Sequence, residues 1–151
     1  MSGDDDPIYM RRALDAAVAN PDEVPIGAVI VDTAGAVLAA CGNTTISQND
    51  PTGHAEINAL RVAAAAIGNH RLVGAQLFVT LEPCAMCAGA ISHARIERLV
   101  IGASDPKGGA VWHGPQFFDQ ATCHWRPAIE QGPYAEEAGI LLKNFFRARR
   151  R

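Results

Sequence analysis

Two short motifs constrain this chain more than anything else in it: His54-Ala55-Glu56 and, further along, Pro83-Cys84-Ala85-Met86-Cys87. One imidazole and two thiols make three soft or borderline donors, a set that suits a zinc ion keeping its fourth position for water or hydroxide. For these donors to meet, the fold must bring two helix starts together. Asp50-Pro51-Thr52-Gly53 reads as loop and cap, and the alanine-rich run at residues 55–67 reads as helix. Two apart in mid-helix, His54 and Glu56 would point to different faces, but in a first turn both can reach a metal placed beyond the helix end. Cys84 and Cys87, three apart behind Pro83 at a favoured first helical position, share one face of a second first turn. The positive ends of both helices favour anionic ligands and, with the metal, depress the thiol pKa values. The 26 residues between Glu56 and Pro83 suffice for a helix, a loop and a strand.

Glu56 is not needed to complete the ligand set, and a carboxylate beside a metal site can take a proton from water and deliver it elsewhere. H-x-E followed by P-C-x-x-C is the signature of the zinc nucleobase deaminases, in which the glutamate is general acid and base. The competing readings are a structural zinc knuckle or unrelated His and Cys residues. A purely structural site would draw a fourth donor from the protein and would have no use for Glu56.

The rest of the chain reads as a frame for that site. Its 151 residues predict one domain spanning 1–151, and 48% hydrophobic against 19% charged residues predicts a packed core. Four cysteines, two of them committed to the metal, fit a reducing compartment better than a disulfide framework. The acidic start is unlike a signal peptide, and no apolar run approaches the roughly 20 residues of a membrane span. The expectation is a soluble, cytoplasmic protein.

Residues 7–20 predict an amphipathic helix, and 26–31 with 36–41 a β-hairpin around Asp32-Thr33-Ala34-Gly35. Strands follow at 75–81, 98–103 and 128–130, with a helix to about 94 and a last helix over 134–150. Connection through a helix predicts parallel strands, with the hairpin antiparallel at one side. Asn43 leads into the His54 helix, where it either overhangs the metal or is a turn residue beside Gly42. The stretch 111–127, with Trp112, His113, Phe117, Phe118, Cys123, His124 and Trp125, either walls a base pocket or covers the core. Cys123 and His124 lack a matching pair for a second metal.

Net charge is −3, which argues against general nucleic-acid affinity, but four of thirteen basic residues, Arg147, Arg149, Arg150 and Arg151, lie in the last five positions behind Phe145 and Phe146. Arginines hold phosphates and aromatic rings stack on unpaired bases, as in grips on single-stranded RNA loops. The alternative is a solvated helix end whose cations suit the dipole.

Taken together, His54-Ala55-Glu56-Ile57, Leu60-Arg61, the run Thr80 to Ala90, Asp105-Pro106-Lys107-Gly108-Gly109, Phe145-Phe146-Arg147 and the run Glu23 to Val29 resemble the bacterial tRNA-specific adenosine deaminases. The zinc motif alone marks the wider cytidine-deaminase-like superfamily; the tail and the Asp105 loop mark the branch acting on RNA. The resemblance implies a three-layer α/β/α cytidine-deaminase-like fold with a five-stranded mixed sheet. It implies a homodimer and hydrolysis of adenosine to inosine at the wobble position of a tRNA anticodon. His54, Cys84 and Cys87 match the zinc ligands, Glu56 the proton shuttle and Asn43 an asparagine on the target base. Asp105 and Lys107 match a loop bordering the RNA. Phe145, Phe146, Arg147, Arg149 and Arg150 match the tail that meets the anticodon stem-loop. Two other readings stay open: a deaminase of free bases, nucleosides or nucleotides on the same fold, and a non-catalytic zinc- or RNA-binding subunit.

Overall fold

Gly27–Val31 (β1) is buried along its whole length because it has a strand on each side and a helical layer on each face. The computed structural model describes residues 3–149. Before β1 comes α1 (Asp6–Ala17); after it follow β2 (Val37–Gly42), α2 (Ala55–Ile67), β3 (Gln76–Leu81), α3 (Ala85–Ala94) and β4 (Arg98–Ala103). A short 3-10 turn at Phe117–Asp119, β5 (Ala128–Gln131) and α4 (Ala135–Arg149) complete the order. The five strands lie in the order β2-β1-β3-β4-β5. β1 is antiparallel to both β2 and β3, and β3, β4 and β5 are parallel, so the predicted mixed sheet is observed.

Side chains alternate between the two faces, as the period of a strand requires. Ala28, Ile30, Leu77, Val79, Leu99 and Ile101 face α2 and α3, where Ala59, Ala63, Ala88 and Ile91 fill the layer. Val29, Val31, Phe78 and Val100 face α1, against Met10 and Ala13. Ala138 of α4 joins Leu14 and Ala103 on that second face. Helix α1 comes so close to the hairpin that a Cβ on Gly27 would lie 1.8 Å from the carbonyl oxygen of Ala13. Only glycine permits that approach.

Two differences from the sequence reading have physical causes, and one open alternative is decided. Helix α1 stops at Ala17, not near 20, because Asn20 Oδ1 accepts the Asp22 N–H at 3.0 Å and closes a turn instead. Helix α3 begins at Ala85, with Cys84 as its N-cap, so Pro83 lies before the helix; its carbonyl accepts the Ala110 N–H at 2.9 Å. The aromatic stretch covers the core: Val111 and Phe118 are buried in the α2/α3 face, with Trp112, Phe117 and Cys123 packed against it. Trp125 Nε1 donates to the Ile96 carbonyl at 2.7 Å.

One buried cation was not foreseen. Arg98 pairs at 2.6 Å with both Asp6 and Glu130, and its Nη1 also donates to Gln76 Oε1 at 2.7 Å, tying the start of α1 to β3, β4 and β5.

Candidate zinc and catalytic site

Because β1 runs against both of its neighbours, β2 and β3 point the same way, and the helices that follow them start at the same end of the sheet. His54 is the N-cap of α2 and Cys84 the N-cap of α3, both in extended backbone. Their carbonyls accept the N–H groups of Asn58 at 3.0 Å and Ala88 at 2.9 Å, so each donor residue belongs to the first turn it precedes. Cys87, one turn into α3, is fully buried.

His54 Nδ1 lies 3.5 Å from Cys84 Sγ and 3.5 Å from Cys87 Sγ, and the three donor atoms are all within 4.8 Å of one another. A tetrahedral zinc with bonds of about 2.3 Å to sulfur and about 2.0 Å to nitrogen requires donors about 3.5 Å apart. The residues therefore fit zinc both in chemistry and in spacing, and three protein ligands leave a position open. Among the described residues no other group of histidine, cysteine and carboxylate side chains forms such a cluster, and Cys123 instead donates to the Trp125 carbonyl.

Electrostatics separate the two thiols. The hydrogen bond with Cys87 holds Cys84 down at about 5, while the same bond, with burial, pushes Cys87 up. Glu56, in the first turn of α2 and 4% exposed, has its carboxyl raised to about 7, with burial the main cause; it also contacts Cys87.

Asn43 is 9% exposed, and its Oδ1 accepts the Ala55 N–H at 2.8 Å. Its carbonyl thus satisfies an N–H of the first turn of α2 and leaves the amide NH2 to donate. The loop after β4 emerges at the same end of the sheet, since β4 is parallel to β3. There Asp105 Oδ1 accepts the N–H groups of Lys107 at 3.1 Å and Gly108 at 3.0 Å, a side-chain-closed turn. Asp105 and Lys107 line one wall of a cleft of about 860 Å³, and Lys143, Phe146 and Arg147 of α4 line another. None of the metal donors lines that cleft; Leu81, three residues before Cys84 in the chain, is among its lining residues.

The tail residues divide. Phe146 is 46% exposed and Arg147 is exposed, both facing the cleft. Phe145 is half-buried, and Arg149 lies over its ring at 3.6 Å and donates to the Pro21 carbonyl at 3.0 Å. Arg150, expected to meet RNA, lies outside the described residues.

Two buried glutamates escaped the sequence reading. Glu23 accepts the N–H groups of Ile46 at 3.1 Å and Ser47 at 2.6 Å, and the Thr45 hydroxyl at 3.3 Å. Burial alone would raise its pKa, but the N–H groups of Ser47 and Ile46 outweigh it and hold the carboxyl below its usual value. Glu82 is held down in the same way by Asp105, His113, Trp112 and Val111. The signals for them were adjacency, since Glu23 precedes Val24-Pro25 and Glu82 sits between a strand and Pro83, and their place in the runs that carry the resemblance.

Residues 4–103 match the cytidine and deoxycytidylate deaminase zinc-binding region. The chain is 56% identical over 129 residues to the tRNA-specific adenosine deaminase of Agrobacterium fabrum, covering 85% of this chain and 84% of that one. It is 48% identical over 143 residues to the enzyme of the same name from Haemophilus influenzae, covering 93% and 83%. A solved structure from work on A-to-I editing by tRNA:A34 deaminases superposes with a TM-score of 0.87 at 52% identity, covering 90% of this chain and 99% of the other.

Proposed function

This chain belongs to the tRNA-specific adenosine deaminases, and from that membership we infer that it hydrolyses adenosine to inosine at the wobble position of a tRNA anticodon. The observation that carries the chemistry is the meeting of His54, Cys84 and Cys87 at two helix starts with the buried Glu56 beside them. His54, Cys84 and Cys87 would hold the zinc, which when bound would act as a Lewis acid and lower the pKa of water to near neutral.

The chain's own residues do the rest. Glu56 takes a proton from the attacking water and delivers it to N1 of the purine, which makes C6 electrophilic. After the oxygen has added to C6, Glu56 takes the second proton from that oxygen and passes it to the amino group; the C6–N bond breaks, and adenosine and water become inosine and ammonia. The free NH2 of Asn43 supports its role as a donor to the target base, because its carbonyl is already fixed by Ala55. An anticodon adenosine is unpaired or nearly so, and turning it into a pocket costs little.

In this reading the anticodon stem-loop lies along the cleft. Lys107, Lys143 and Arg147 supply three cations and Phe146 an exposed ring, the combination that holds phosphates and stacks bases. Arg149 is engaged with Phe145 and Pro21, so its contribution begins by keeping the end of α4 in place. All four helices packing on one sheet supports a single deaminase domain. Exposed Val62 on α2 and Met86 on α3, two helices in mutual contact, support pairing with a second copy, and the tRNA substrate of the named relatives supports a cytoplasmic location. No helix among the described residues is long and apolar enough to cross a membrane.

Removal of residues 147–151 tests the RNA reading. Turnover of an anticodon stem-loop is expected to fall sharply; if it does not, the tail has no part in substrate binding.

A further inference from the structure

Glu82 is a buried carboxylate outside the donor set, and one loop wraps around it. Its side chain is 0% exposed. Oε1 accepts the Asp105 N–H at 2.9 Å; Oε2 accepts three successive N–H groups, from Val111 at 3.2 Å, Trp112 at 3.0 Å and His113 at 3.1 Å. The ring of His113 closes the set, with Nδ1 at 2.8 Å from Oε1. Gly109 passes so near that a Cβ there would meet Glu82 Cδ and Oε2 at 2.4 Å. An ionised carboxylate offers about four lone-pair sites, so this one is fully engaged. The Glu82 backbone N–H is bonded to the Ala103 carbonyl at 2.8 Å, which fixes the carboxylate at the ends of β3 and β4, two residues from Cys84.

The two ends of the wrapped segment do different work. Near one end, Asp105 closes the turn that presents Lys107 to the cleft. At the other, His113 is 36% exposed and contributes nothing to the hydrophobic core beneath it. We propose that Glu82 and His113 form a positioning clamp that sets the turn at residues 105–108 relative to the start of α3, and so sets the affinity for the RNA substrate; the proposal rests on the function inferred above. His113 touches neither metal donors nor cleft, and acts through the loop it fastens. An exposed histidine serving only as a brace would change stability without changing substrate affinity selectively.

Steady-state deamination of an adenosine-containing anticodon stem-loop, with zinc-loaded parent, His113→Ala and His113→Asn, tests this. The alanine variant is expected to raise KM about tenfold, the equivalent of one net hydrogen bond, while kcat and zinc content stay close to the parent's. Asparagine places an N–H donor near the position of Nδ1 and is expected to recover most of the loss. A KM unchanged by His113→Ala overturns the clamp, as does a rise that His113→Asn fails to reverse or a matching fall in kcat. A parent inactive on the stem-loop overturns the functional reading and the clamp with it, whereas an active parent indifferent to His113 overturns the clamp alone. A thermal melt of each variant, expected to stay within a few degrees of the parent's, separates loss of positioning from loss of fold.

Discussion

At the scale of single residues, the site depends on a carboxyl that is buried before any substrate arrives. Burial raises Glu56 to about 7, where a group can both accept and return a proton near neutral pH. In the proposed mechanism Glu56→Gln keeps the shape and removes the proton traffic. Inosine formation is expected to fall by about 10²–10⁴ while zinc content and stem-loop binding persist; near-normal turnover would contradict the assigned role. Cys87→Ala removes a fully buried donor that faces His54 Nδ1 at 3.5 Å. The purified variant is expected to lose its zinc, which metal analysis would read directly. The cluster of His54, Cys84 and Cys87 was legible in the sequence because metal chemistry restricts both residue type and spacing. Glu82 and Glu23 were not, because their partners are backbone N–H groups, which every residue but proline carries, brought in from loops more than twenty positions away.

At the scale of elements, helices carry the donors and loops are held by carboxylates. The depressed pKa of Glu23 makes its contribution to stability depend on pH. A carboxyl whose folded value lies below its unfolded value, about 4.3 for glutamate, stabilises fully above the unfolded value and loses that contribution as pH falls through the folded one. Glu23→Gln is therefore expected to cost about 1.5–3 kcal/mol near neutrality. Melting curves taken from pH 7 downward should show parent and variant converging in acid; curves that stay parallel would mean that the loop at residues 44–50 does not rely on the charge. Helix α2 was legible to the residue, since the alanine run ends at Gly68, which adopts φ of 68° as its left-handed cap. Propensity alone starts α3 too early, because Pro83 suits a first helical turn. Its carbonyl is instead held by Ala110, a contact that exists only after the chain has folded.

At the scale of the whole molecule, strand direction accounts for the site. With β2, β3 and β4 all pointing one way, α2, α3 and the Asp105 loop begin at one end of the sheet, and the exposed part of α4 closes the cleft beside them. That arrangement was legible as a class, because helices between strands imply parallel neighbours, whereas the Arg98 ion cluster and the packing of the aromatic stretch depend on contacts between distant segments. The most direct test of the account is ammonia release by the zinc-loaded protein, with an adenosine-containing anticodon stem-loop run in parallel with free adenosine, guanine, cytosine and cytidine. Release with the stem-loop alone is the predicted result; release with a free base or nucleoside and none with the stem-loop would contradict it, leaving the zinc chemistry in place and removing RNA as the substrate.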